Sequence, residues 1–129
     1  MLYVLLIYEA EDVSAGYSAA DTESALVGHR ALQERAKHDG AFVEANQLMR
    51  PETAMSLRVR GGEAIVMDGP FTETKELLIG YYVVECASLD QAIEYARQIP
   101  HASTGGIEIR PITYFERARA EAVVWTSSA

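Results

Sequence analysis

Residues 2–8 read Leu-Tyr-Val-Leu-Leu-Ile-Tyr, and this stretch decides how the fold must be built. Successive side chains of a β-strand point to opposite faces, and both faces of this strand are apolar. Residues 77–84, which read Leu-Leu-Ile-Gly-Tyr-Tyr-Val-Val, repeat the pattern. A strand that is apolar on both faces is normally buried on both faces. The sheet that contains these two strands must therefore be covered on both sides.

Hydrophobic periodicity and turn residues predict the other elements. Gly61-Gly62 lies between two alternating runs and indicates a hairpin, with Arg60 and Glu63 flanking its turn. That register places Asp68 at the end of an apolar row of the hairpin. Residues 9–20, near the start of the chain, are predicted to form a loop. The predicted helices cover 21–39, 88–100 and 115–124, and the remaining predicted strands cover 41–48, 55–60, 63–67 and 107–112.

This order of elements is typical of a ferredoxin-like sandwich, an α+β fold, with an inserted β-hairpin. The two helices that flank the sheet can cover one of its faces and leave the other face open. Because the strands at 2–8 and 77–84 are apolar on both faces, we expect the open face to be buried against a second subunit. The predicted assembly is a homodimer in which two sheets pair about a two-fold axis.

The composition is that of one globular domain, with 129 residues of which 49% are hydrophobic and 23% charged. A net charge of −8 argues against binding to nucleic acid or to an anionic membrane, because both need a basic surface. No apolar run approaches the roughly 20 residues of a membrane span, and the first run is too short for a signal peptide, so we expect a cytoplasmic protein. The lone Cys86 is expected to be a small buried hydrophobe. Scattered histidines and the lack of a glycine-rich nucleotide motif predict neither a metal site nor a cofactor.

A polar loop follows the hairpin. Residues 68–76 read Asp-Gly-Pro-Phe-Thr-Glu-Thr-Lys-Glu, and Leu-Leu-Ile-Gly-Tyr-Tyr comes directly after them. This stretch resembles the signature of the DGPF family, a branch of the YCII-related proteins. The resemblance covers roughly residues 1–112 and implies a dimeric α/β barrel. We assign residues 113–129 to the same domain, as a C-terminal helix and tail.

Two residues are candidates for proton transfer. Asp68 is either the first residue of an Asx-turn or a partly desolvated general base at the mouth of a cavity. His29 lies on the inward face of the first predicted helix, where it is either a core histidine or a catalytic one. The resemblance to the YCII-related proteins favours the second reading, because a histidine on this helix and an aspartate have been proposed there as an acid-base pair. We therefore predict that His29 and Asp68 act together.

The loop and the hairpin supply the candidate ligand-binding groups. The charged loop residues either form a solvated surface or fold over the cavity to orient a polar ligand, and the two hairpin arginines either make salt bridges or clamp a ligand carboxylate. Tyr81 or Tyr82 can present a hydroxyl to the cavity, while His101 is predicted to be an exposed loop residue. The predicted ligand-binding residues are Phe71, Glu73, Lys75, Glu76, Arg58 and Arg60.

Two functions fit these features, and the sequence does not decide whether the chain is an enzyme. In the first, a small organic molecule undergoes cofactor-independent acid-base chemistry in the barrel cavity. In the alternative, the chain is a non-catalytic ligand-binding or regulatory module. The resemblance makes an extracytoplasmic-function sigma factor relevant as its partner, since genes of the DGPF family commonly lie beside genes of such factors. A third reading makes the signature purely structural.

Overall fold

The computed structural model describes residues 1–71 and 75–118, and six strands and three helices form within them. The strands are β1 (Leu2–Ala10), β2 (Phe42–Gln47), β3 (Met55–Arg60), β4 (Glu63–Asp68), β5 (Glu76–Glu85) and β6 (Gly106–Pro111). The helices are α1 (Glu11–Ala15), α2 (Ala19–His38) and α3 (Leu89–Arg97), and short 3₁₀ turns cover Pro51–Thr53 and Pro100–Ala102.

Four strands form one sheet in the order β2-β5-β1-β6, with antiparallel pairing between all neighbours. The strands β3 and β4 form a separate two-stranded sheet between β2 and β5 in the chain. The predicted α+β class and the inserted hairpin are therefore confirmed, and the strand order is consistent with a ferredoxin-like fold. No helix within the described residues is long and apolar enough to cross a membrane.

The predicted hairpin register is also confirmed. Gly61 and Gly62 both have positive φ, 58° and 80°, and Arg60 lies opposite Glu63. Two consecutive residues with positive φ give the turn twist that suits a two-residue hairpin, which is why glycine serves there. The pairing continues to Met55 opposite Asp68, so Asp68 does share a face with the apolar row of the hairpin.

Two of the predicted elements need correction. The loop predicted at 9–20 is wrong, because β1 continues to Ala10 and α1 follows at once. Helix α2 then begins at Ala19, where Ser18 and Asp21 form a capping box that satisfies free backbone N–H groups. The predicted C-terminal helix at 115–124 is not present in residues 115–118, and the rest of it lies outside the described residues.

The hydrophobic core lies on one face of the sheet. Tyr3, Leu5 and Ile7 of β1 are buried there, in a cluster with residues of both α2 and α3. Cys86 belongs to the same cluster and is 2% exposed, as predicted for a small buried hydrophobe. The other face of β1 carries Leu2, Val4, Leu6 and Tyr8, which are only half-buried in a single chain. The two long helices therefore cover one face, and a predominantly apolar strand surface remains on the other.

Candidate acid-base site

A cavity of about 580 Å³ lies beside the inward face of α2. Its walls are the end of β1, the chain before α2, the first half of α2, and the segment that follows β2. The polar side chains that line it include Glu9, Ser14, Tyr17, His29, Tyr82 and His101.

His29 reaches this cavity because it lies on the same helical face as the buried Leu32 and Ala36. Its Nδ1 lies 2.7 Å from the hydroxyl oxygen of Tyr82, and the two rings are stacked with centroids 5.8 Å apart. Gln33, one turn further along α2, donates from Nε2 to the same hydroxyl at 3.4 Å. Burial lowers the pKa of His29, and repulsion from His101 would lower it further whenever that ring is protonated, so the imidazole of His29 is kept neutral.

Tyr82 meets the prediction that one of two consecutive tyrosines would fill the core and present a hydroxyl to the cavity. Its side chain belongs to the core cluster and is 3% exposed, and it also lines the cavity. Burial raises the pKa of this phenol, although the hydrogen bond from Gln33 opposes the rise. The adjacent Tyr81 points to the opposite face of β5, where its hydroxyl donates to Glu44.

Glu9 is a charged residue at the buried end of β1, with 2% of its surface exposed. Its carboxylate accepts hydrogen bonds from the hydroxyls of Ser14 and Tyr17, both at 2.6 Å, and from the hydroxyl of Thr104. His101 Nδ1 lies 3.1 Å from the same carboxylate. Burial raises the pKa of Glu9, but these hydrogen bonds together outweigh it and lower the pKa to about 2. Glu9 is therefore ionised at neutral pH although it is buried.

The expectation that His101 would be an exposed loop residue is wrong. Its side chain is only 14% exposed, and its ring centroid lies 5.0 Å from that of His29. The residue belongs to the 3₁₀ turn that starts at Pro100, where the fixed φ of proline suits the first helical position. Gly28 makes the approach of this turn possible, because a Cβ at Gly28 would lie 2.7 Å from Pro100 Cγ.

Glu9 was missed by the sequence reasoning, although the signal for it was present. It continues the alternating row of Tyr3, Leu5 and Ile7, and a carboxylate at the end of a buried row needs hydrogen-bond partners. The same rule was applied only to Asp68, whose row lies on the exposed hairpin. His101 offered no local signal, since its partner Glu9 is 92 positions away in the chain.

Asp68 lies at the end of β4 and is exposed in a single chain. Among the described residues that line the His29 cavity, Asp68 is absent. The apolar side chains on its face of the hairpin are 55% to 63% exposed. A single copy therefore does not bring Asp68 and His29 to one site, and their pairing stays a prediction about an assembly.

Three of the predicted binding residues, Phe71, Lys75 and Glu76, instead line a second cavity of about 990 Å³. The guanidinium of Arg58 lies 4.4 Å from the centroid of the Phe71 ring, a cation-π contact at the edge of this cavity. Arg60 lies at the hairpin turn and donates to the carbonyl oxygen of Val59. Glu73 lies outside the described residues. The segment Leu48–Pro51 lines both cavities, so the two are neighbours.

Comparison with known proteins gives the family of the chain. The family model of the YCII-related domain matches residues 1–116. An uncharacterised protein of Rhizobium meliloti is 40% identical over 118 residues, which are 90% of this chain and 95% of that protein. The chain therefore belongs to the YCII-related family.

Proposed function

We propose that the chain carries out acid-base chemistry, without a cofactor, on a small organic molecule bound in the His29 cavity. One observation carries this proposal: two histidine rings lie 5.0 Å apart in a single cavity, next to a buried ionised carboxylate. An imidazole commonly titrates near neutral pH, so one of them beside a ligand can take up and return a proton, while a neutral one can donate a hydrogen bond. A cavity of about 580 Å³ has the size of a site for a small molecule.

The proposal includes a homodimer built as an α/β barrel. Two apolar surfaces of the single chain support it, namely the open face of the sheet and the hairpin face with Leu57 and Val66, which are 55% and 58% exposed. Burial of such exposed apolar surface against a partner lowers the free energy of the protein. Two-fold pairing satisfies both copies with the same contacts. Asp68 shares the apolar hairpin face, so covering that face would bury Asp68 as well.

In this dimer, Asp68 is proposed to reach the cavity of the second copy and to act together with His29 of that copy in acid-base chemistry. The second cavity, with Phe71, Lys75 and Glu76, is proposed to orient a polar part of the ligand, together with Arg58, Arg60 and Glu73. The shared segment Leu48–Pro51 supports this arrangement, because a ligand that extends past it would contact both cavities.

A thermal-shift screen of the purified protein against a metabolite library tests the proposal. A ligand that binds only the folded state stabilises it by about 2.7 kcal/mol at one hundred times its Kd. We expect a stabilising ligand whose effect is lost in His29→Gln and weakened in Asp68→Asn. His38→Gln is the matched control, because the side chain of His38 is 91% exposed at the far end of α2. Equal stabilisation of all four proteins would contradict a site at His29.

The alternative function, a regulatory module that binds a protein partner, is favoured by one observation. The second face of the hairpin also exposes apolar side chains, namely Ile65 and Met67, which are 44% and 63% exposed. A partner such as an extracytoplasmic-function sigma factor would cover this surface. Substitution of Met67 by Asp would then abolish partner binding and leave the ligand-dependent thermal shift unchanged, whereas His29→Gln would do the reverse.

A further inference from the structure

The hydrogen bonds of His101 determine which of its nitrogens carries the proton. The neighbours described for Nδ1 are Glu9 Oε2 and the hydroxyl oxygen of Tyr17, both at 3.1 Å. A carboxylate oxygen can only accept, and the Tyr17 hydroxyl donates its own proton to Glu9. Nδ1 must therefore carry the hydrogen, and in the neutral ring Nε2 is left with a free lone pair.

The hydrogen bonds of His29 indicate the opposite tautomer. Gln33 donates to the oxygen of Tyr82, so the Tyr82 hydroxyl proton needs an acceptor. Among the described contacts of Tyr82, that acceptor is His29 Nδ1, at 2.7 Å. Nδ1 is then the unprotonated nitrogen, and the hydrogen of the neutral ring lies on Nε2. His101 thus has an acceptor nitrogen and His29 a donor nitrogen, and both residues line the same cavity.

We propose that His101 is the base of this site, that His29 is a neutral hydrogen-bond donor, and that the pair removes a proton from a carbon next to a carbonyl group. This assignment rests on the function proposed above and names its reaction and substrate class. The substrate would be a small ketone, ester or lactone. Its carbonyl oxygen would lie at His29, and its acidic carbon at His101.

The step balances without a further reactant. The C–H bond breaks, its proton bonds to Nε2 of His101, and its electron pair forms a carbon-carbon double bond while the carbonyl π electrons move to oxygen. The enolate oxygen accepts a hydrogen bond from Nε2–H of His29, which keeps its proton. The imidazolium of His101 then returns the proton to the same carbon or to a conjugated one. The net result is exchange or isomerisation.

Glu9 is the positioning residue of this pair. Its carboxylate holds Nδ1–H of His101 and remains ionised, so it stabilises the imidazolium that forms during the step. The hydroxyls of Ser14, Tyr17 and Thr104 fix the carboxylate from its other sides. Tyr82 has the corresponding role for His29. A neutral histidine that polarises a carbonyl is an established arrangement in other enzymes.

The first test reads the tautomers of the wild-type protein and needs no substitution. At about pH 8 neutral histidines predominate, and ¹H–¹⁵N correlation spectra distinguish a nitrogen that bears hydrogen from one that does not. We expect hydrogen on Nδ1 of His101 and on Nε2 of His29, with exposed His38 as the reference. Tyr82→Phe should change the signals of His29 and leave those of His101 unchanged. The reverse tautomer at either ring would overturn the assignment.

The second test follows exchange of carbon-bound hydrogen in D₂O, with cyclohexanone, γ-butyrolactone and levulinate as probes. We expect the protein to accelerate exchange at the carbon next to the carbonyl for at least one probe. His101→Gln should abolish the acceleration, Glu9→Gln and His29→Gln should reduce it at least tenfold, and His38→Gln should leave it unchanged. Acceleration that survives His101→Gln would overturn the role of His101.

The two tests separate this inference from the function on which it rests. The predicted tautomers together with no exchange of any probe would reject the carbonyl substrate class. In that case a thermal-shift ligand that depends on His29 would still support acid-base chemistry of another kind. If no such ligand were found either, the proposed function itself would fail.

Discussion

Gly28 sets the distance between the two histidines, and its replacement by alanine tests this directly. A Cβ at this position would lie 2.7 Å from Pro100 Cγ, whereas ordinary van der Waals contact begins at 3.4 Å. Helix α2 and the turn at Pro100 would have to separate by about 0.7 Å. Since Pro100 is a closed ring next to His101, the separation would be transmitted to the 5.0 Å spacing of His29 and His101.

Two free-energy terms oppose each other in Gly28→Ala. Overpacking of a well-packed contact costs about 1–3 kcal/mol. Alanine is favoured over glycine inside a helix by about 1 kcal/mol. We expect a net loss of about 1 kcal/mol in the free energy of unfolding, measured by urea denaturation, and a weaker nuclear Overhauser effect between the rings of His29 and His101.

The control measures the helix term alone. Ala31 is exposed in the same helix, so Ala31→Gly reports the alanine preference without a packing change. If Gly28 had no packing role, Gly28→Ala would stabilise the protein by as much as Ala31→Gly destabilises it. That outcome, with an unchanged Overhauser effect, would refute the reasoning.

Three further predictions concern the stability of the protein at acid pH, the turn beside Glu9, and the proposed dimer. The pKa of Glu9 is about 2 in the folded protein and near 4.5 in the unfolded chain, so the unfolded state binds more protons between these values, and stability falls as pH drops through this window. The free energy of unfolding of the wild type should fall by about 3 kcal/mol between pH 4.5 and 2 because of Glu9. In urea denaturation over the same range, the free energy of unfolding of Glu9→Gln should depend less on pH. The same pH dependence in both proteins would contradict the low pKa of Glu9. Gly105→Ala would place a methyl group against the backbone oxygen of Tyr8, so we expect a loss of more than about 3 kcal/mol in thermal or urea unfolding, whereas Gly106→Ala meets no atom within 4 Å and should be tolerated. Leu57→Asp should convert the proposed dimer into a monomer in light scattering, because it would bury an unpaired charge; an unchanged mass would exclude the hairpin from the interface.

Much of the fold was predictable because its signals are local. Apolar runs along β1 and β5, paired glycines with positive φ at the hairpin turn, and the serine cap before α3 each depend on neighbours a few positions apart. The loop predicted at 9–20 was wrong because this segment carries no clear local signal. The five residues of α1 are too few for a helical period to be recognised in the sequence.

The candidate site divides along the same line. The sequence alone determined that His29 faces inward, because the helical period of α2 places it with Leu32 and Ala36, and that one tyrosine of the pair at 81–82 would reach the core. Only the tertiary structure decided that Glu9 and His101, 92 positions apart, complete the cavity. Their meeting depends on backbone approaches at Gly28 and Gly105, which are set by the packing of elements distant in the chain. The local sequence pattern predicts the face of a helix or strand on which a side chain lies. The cavity forms only where packing brings the faces of several elements together.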